Sequence, residues 1–284
     1  DGEIIAGRGF WPGLCVSLKH NSKFASFTIL AKGDYASELN IPIPFSLVSN
    51  DVSNDQLIVM PGYWFMYNMY ALARNAWKYI DRDKRPDKIQ LIEYDYLVPD
   101  TINEMFEGMR LLQLFTGKAY LRKEGNTSFT DSEAITVGKQ LLEEQKSVIP
   151  ELEILAEGFE NSKRKVIIAK PLQAYLLFKE LITYYGVKEV IAWMERSSIV
   201  KHIALIEQLP KTFKRSEWTN IGGQLIPKET VGKFIEKIQL NKIKNWDEVH
   251  KFYIREGEIY AEQKLQHALA SLQEVTNKQI NQTQ

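Results

Sequence analysis

A single cysteine, Cys15, stands in 284 residues. That excludes an intrachain disulfide and any zinc site built on paired cysteines, and it fits a reducing compartment. An excess of charge of either sign is missing too. The 36 Lys and Arg balance 36 Asp and Glu, which argues against a nucleic-acid binder working through bulk positive charge. No apolar run nears the ~18 residues of a membrane span, and no signal peptide is visible. The expected setting is therefore the cytoplasm, with neither nucleic acid nor membrane as partner. Catalytic fingerprints are also lacking: there is no P-loop, no dinucleotide-binding Gly-x-Gly-x-x-Gly and no Gly-x-Ser-x-Gly elbow. The four histidines, His20, His202, His250 and His267, include no pair at the i, i+3 or i, i+4 spacing of a helical metal site. No metal and no cofactor are expected.

What is present begins with residues 1–56, which lack helical periodicity. They are rich in Gly, Ser, Phe, Ile and Val, with turn signals at Gly7, Gly9, Pro12-Gly13, Asn21 and Gly33-Asp34. This is strand-and-turn composition. Leu18, Phe24 and Leu30 are spaced six apart. A six-residue period is the signature of a β-helix, although a sandwich fragment gives alternating apolar residues as well. The Pro-rich run Asn40–Phe45 reads as a sheet edge or an exit. The chain opens Asp1-Gly-Glu-Ile-Ile, without Met and in strand-like composition, and so reads as the later portion of a longer protein.

The stretch that organises the rest is Pro61–Ile80. Pro61 suits a first helical turn. Trp64, Asn68, Ala71 and Asn75 share one stripe, Tyr63, Tyr67, Tyr70 and Arg74 a second, and Met66, Met69, Ala73 and Trp77 a third. A helix aromatic on nearly every side is expected to be buried. Its amides and guanidinium then need partners: they either crosslink the core, the reading favoured for Asn75, or face a ligand, the reading favoured for Arg74. Beyond it the chain reads as mainly helical. Helices are expected from Pro99 to about Leu121, from the Thr130–Glu133 capping box, from Leu172 to a stop at Gly186, and from Val187 to about Glu207. Two more run from Pro227 to Leu240 and from the Asn245–Glu248 box for about 30 residues. A hairpin is expected near 152–169, and residues 210–227 read as irregular.

His20, between apolar strand residues, could act as a general base on a hydroxyl or amine, or be a surface histidine at a turn. Lys32-Gly33-Asp34 could present a cation and a carboxylate to a phosphate- or sugar-bearing ligand, or form a turn with one ion pair. Gly222-Gly223 permits close backbone approach, or simply a tight loop.

Several stretches together carry a resemblance: Asn21–Ser26, Lys32–Tyr35, Leu39–Pro42, Pro44–Val48, Tyr63–Asn75, Trp218–Ile226 and Trp246-Asp247. Through them the chain resembles large uncharacterised bacterial proteins, common in Bacteroidetes, that carry hexapeptide-repeat left-handed β-helix coils followed by a helical region. The resemblance implies a left-handed β-helix for the N-terminal residues and a homo-oligomer, a trimer, formed through it. It supplies no activity.

The resulting expectation is an α+β chain, the end of a left-handed β-helix packed on a mainly α-helical domain. Residues 1–56 would be end coils and exit strand, 57–276 the helical domain, and 277–284 a disordered tail. The first functional expectation is a transferase acting on a sugar, nucleotide-sugar or similar polar metabolite. His20 would be its catalytic base, with Asn21, Lys32, Asp34, Tyr67, Asn68, Arg74 and Asn75 binding substrate. The rival is a non-catalytic assembly module whose helices cap the β-helix. A polar concave pocket lined by those residues favours the first; an exposed apolar patch on the helices favours the second.

Overall fold

Frequent turn residues keep the opening strands short. β1 (Ile5–Ala6), β2 (Trp11–Pro12), β3 (Val16–Leu18), β4 (Lys23–Phe24), β5 (Ile29–Leu30), β6 (Gly33–Tyr35) and β7 (Asn40–Ile41) span two or three residues each. The longer β8 (Leu47–Asp51) and β9 (Gln56–Met60) follow. The computed structural model describes residues 2–196 and 213–277. It is α+β and divides into two units, residues 1–72 with 104–179 and residues 73–103 with 180–284.

In the first unit the short strands stack as a parallel coil. Ile5 pairs with Lys23 and Lys23 with Asn40, Trp11 with Ile29 and Ile29 with Leu47, Val16 with Gly33. Phe24, Leu30, Tyr35, Ile41 and Val48 fill the interior. Buried hydroxyls close its turns: Ser22, Thr28 and Ser46 each donate to the carbonyl three residues back, at 2.7, 2.8 and 2.7 Å. Cys15, Asn21, Phe27 and Phe45 turn corners in the left-handed region, at φ of 57°, 64°, 57° and 57°. For a residue with a Cβ this costs about 1–2 kcal/mol. Phe27 and Phe45 offset part of it by stacking at 4.9 Å, a contact of roughly 0.5–1.5 kcal/mol.

The expected end of a left-handed β-helix is not what this pairing gives. The β3–β6 ladder is one pair of strands, and the chain then folds back instead of adding another coil. Asp51 is the reason: its carboxylate accepts from the Asn54 backbone at 3.3 Å and side chain at 2.9 Å, closing a tight turn. β9 therefore runs antiparallel to β8, and β10 (Lys165–Ile168) joins β9 in parallel. The result is a five-stranded mixed sheet in the order β10-β9-β8-β5-β2, among several smaller sheets. The 152–169 stretch makes a single antiparallel bridge, Leu155 to Ile167, beside that sheet.

Pro61–Ile80 is two helices rather than one buried helix. α1 (Tyr63–Tyr67) ends at Asn68, whose φ of −140° and ψ of 28° leave the helical region, and α2 (Met69–Arg82) follows. Only Trp64 is buried in α1, and only Ala71 and Leu72 in α2. α3 (Pro99–Lys123) starts on a proline, as expected. α4 (Asp131–Glu143) starts on the reciprocal capping box of Thr130 and Glu133. These two cross at glycines: a Cβ on Gly117 would lie 1.8 Å from the Ala134 carbonyl oxygen, and one on Gly138 1.8 Å from that of Gln113.

α5 (Pro171–Arg196) runs straight through Gly186. The glycine is no stop signal: Leu272 fills the space, 2.1 Å from where its Cβ would be. Of the further helix expected from Val187 towards Glu207, residues 187–196 continue α5 and the rest lies outside the described residues, as does nearly all of the expected tail. In the second unit, the supposedly irregular 210–227 stretch contains a hairpin, β11 (Trp218–Ile221) with β12 (Gln224–Pro227). α6 (Lys228–Gln239) and α7 (Trp246–Thr276) pack on it through Ile226, Val231 and Phe252 and through Leu225 and Tyr260. Asn245 caps α7 through the Glu248 N–H at 3.1 Å, but the Glu248 carboxylate accepts from Lys244 instead of closing the box.

Candidate functional site

In the first unit a pocket of about 470 Å³ opens where β6, β8 and the loop before β10 meet, lined among others by Asp34, Asn50, Asp55, Ser162 and Lys163. Its floor is an ion pair. The Glu160 side chain is 1% exposed. Arg164 donates to it from Nε at 2.5 Å and from Nη2 at 2.6 Å, and from Nη1 to Asn50 Oδ1 at 2.6 Å. Such a forked pair satisfies a buried carboxylate, and the bond to Glu160 raises the Arg164 pKa above its ordinary value. Beneath, burial pushes the Tyr35 hydroxyl up to about 12, so it stays protonated and donates to the Ala31 and Val48 carbonyls at 2.9 and 3.2 Å. The groups left for a ligand are the exposed Asp34, Asp55 and Lys163. They can hold a hydroxyl-rich or charged small molecule.

The eight residues singled out in the sequence are scattered in role. Asp34 is the one among them that lines this pocket. His20 and Lys32 are exposed. Asn21 donates to Glu38 at 3.3 Å and Asn161 donates to the other carboxylate oxygen at 3.2 Å; bonds from Asn161 and then Asn21 hold the Glu38 pKa below the usual carboxylate range. Tyr67 is exposed, with the Lys170 ammonium at its hydroxyl and 4.7 Å from its ring centroid. Asn68 makes the helix break. Arg74 is half-buried, and its Nε has no hydrogen-bond partner among the described residues. Asn75, expected deep in a core, is exposed, although Ala71 one turn before it is buried.

A second constellation, passed over in the sequence, lies in the second unit. His267 is fully buried. Asn103 fixes its tautomer. The Asn103 Nδ2 donates to the Ser216 carbonyl at 2.8 Å, so its Oδ1 is the acceptor facing His267 Nε2 at 3.1 Å and Arg215 Nη1 at 3.1 Å. His267 therefore carries its proton on Nε2, and Nδ1 accepts from the Tyr185 hydroxyl at 3.1 Å. Burial, and next the nearby Arg215 charge, lower its pKa to about 3. Tyr260 alongside donates to Glu93 at 2.6 Å. The network is neutral at His267 and closed on itself, which makes it a crosslink of the unit. Spacing was the available signal: Phe252, Glu256, Tyr260, His267 and Ser271, four or seven apart, form one buried stripe of α7. The Gly222-Gly223 turn is occupied as well, since Gln90 donates to the Ile221 and Gly222 carbonyls at 3.2 and 2.8 Å. Among the described residues no group of three or more His, Cys, Asp or Glu could hold a metal ion, and no helix is long and apolar enough to cross a membrane.

A family described as a domain of unknown function, DUF6819, matches residues 201–284, the stretch that holds Arg215, Trp218 and His267. An uncharacterised protein of Treponema pallidum (strain Nichols) is 36% identical over 282 residues, which are 99% of this chain and 37% of that protein. The chain thus spans little more than a third of the length of the curated relative it matches. No solved structure matches. These findings overturn the resemblance to Bacteroidetes-type hexapeptide-repeat proteins: what the chain is similar to is a domain of unknown function and an uncharacterised Treponema protein.

Proposed function

We propose that this chain is a non-catalytic interaction module that docks through the outer face of α2 on another macromolecular surface. One observation carries the reading: Trp77 and Ile80 on that face are 64% and 57% exposed, and Met69 and Tyr70, on the same face, are 57% and 76% exposed. Large apolar side chains exposed side by side mark an interaction surface.

The second reading, a transferase acting on a sugar or nucleotide-sugar, draws its support from the Asp34 pocket alone. Thermal melting of the chain with nucleotide-sugars and acyl donors tests the two. The interaction module is expected to melt at the same temperature with each compound. A ligand-induced rise that Asp34→Asn abolishes would overturn it in favour of the transferase.

A further inference from the structure

We infer that the α2 face docks on an anionic lipid surface, lying in the headgroup plane. This rests on the interaction-module reading and names its partner. At 100° per residue, Ala73, Trp77 and Ile80 fall on one arc of α2, and Met69 and Tyr70 continue it along the same helix. Arg74, Lys78 and Arg82, four apart, form a row along one flank of that arc. Between residues 73 and 90 there are six Lys or Arg (74, 78, 82, 84, 85, 88) against three Asp (81, 83, 87), in a chain of net charge zero. Asp83 is taken up by Arg85 at 2.9 Å. The apolar face is therefore flanked by a local positive excess, the arrangement of a helix that lies at an interface with anionic lipid.

The segment after α2 runs back along the Tyr79 side of the helix. Tyr94 stacks on Tyr79 with ring centroids 4.8 Å apart, and Arg85 donates to the Gln90 carbonyl at 3.1 Å. These contacts fold residues 83–94 back along the helix. Ile89 and Leu91, exposed at 59% and 37%, belong to this segment.

Charge decides against a second copy as the occupant. Antiparallel pairing of two α2 helices brings like flanks together, so Arg74, Lys78 and Arg82 would face the same row, with only Asp81 on each flank to offset it. Parallel pairing sets that row against the other flank, whose carboxylate, Asp83, is already held by Arg85 at 2.9 Å. Shape decides between lipid and an acidic protein. A single helix is a convex ridge, and a protein partner must supply a matching groove, whereas a bilayer interface accommodates a ridge of Trp, Tyr and aliphatic side chains directly.

The test is flotation of the full chain with vesicles of phosphatidylcholine alone and of phosphatidylcholine with phosphatidylglycerol. Binding is expected to the phosphatidylglycerol vesicles and to weaken about tenfold as salt rises from about 0.1 to about 0.5 M. Trp77→Ser with Ile80→Ser is expected to lose binding about tenfold or more while the melting temperature holds. Lys78→Gln with Arg82→Gln is expected to weaken binding to the anionic vesicles without altering the melt. Absence of binding overturns the inference, as does equal binding by the Trp77/Ile80 variant. So does light scattering that finds a dimer which this variant dissociates, because a second copy then covers the face. Stoichiometric binding to polyglutamate with none to the vesicles overturns it in favour of an acidic protein. Failure on vesicles leaves the melting experiment with nucleotide-sugars untouched, so the two failures are distinguishable.

Discussion

α1 and α2 come from one aromatic run, yet they meet opposite fates. In α1, Trp64 is 1% exposed, its indole N–H donates to the Phe27 carbonyl at 2.6 Å, and its ring lies 5.7 Å from that of Trp11. In α2, Trp77 stands in solvent. Composition does not separate the two tryptophans. What separates them is whether another element supplies an acceptor and an apolar wall, and Asn68 marks where that supply stops. Buried polar atoms show the same contrast in the second unit, where His267 has every partner and Arg74 Nε has none among the described residues.

The largest effect expected from this contrast is on Trp64. Trp64→Ala removes a filled space and leaves a carbonyl unpaired, and should cost about 3–5 kcal/mol. Trp77→Ala should stay within about 0.5 kcal/mol. Urea unfolding measures both; equal losses would erase the distinction. Acid tests His267. Its folded pKa is about 3, whereas an unfolded histidine binds a proton near 6.5. As pH falls below ~6.5 the unfolded chain takes up the proton first, so stability falls through this window by up to roughly 5 kcal/mol and levels off below pH 3. His267→Gln should lose most of that pH dependence in denaturant titrations at several pH values; an unchanged slope would count against the neutral network.

A smaller loss, about 1–3 kcal/mol, is expected for Gly186→Ala, because the new methyl group overlaps Leu272. Adding Leu272→Ala should recover part of it, and double-mutant melting would read the coupling. Smallest is Arg74→Met. It removes a buried N–H that lacks an acceptor, so stability should hold or rise by up to about 1 kcal/mol. A loss of about 3 kcal/mol would reveal a buried partner for the guanidinium.

Local features were the legible ones. The Thr130–Glu133 box is written in four residues and is found as written; so is the proline start of α3. Features that depend on distant chain were not legible. The β9–β10 pairing joins Gln56 to Lys165, and no local signal carries such a register. The inward side of Pro61–Ile80 was hidden because apolar and aromatic residues occur all around it, so periodicity cannot say which face is covered. Gly186 read as a stop because the residue that fills its missing side chain, Leu272, is far along the chain. Of the candidate site, Asp34 was named, whereas the Glu160–Arg164 floor was not, since its buried carboxylate looks like any surface charge in sequence.

The crossing of α3 and α4 has a consequence for how far these helices can diverge. At Gly186 the obstruction is a side chain, which a second substitution can trim. At Gly117 and Gly138 it is the carbonyl oxygen of the facing helix, and every residue type carries that atom. No compensating replacement elsewhere can make room, so any relative that keeps this crossing must keep glycine at both positions, and one that has lost either glycine must hold the two helices further apart.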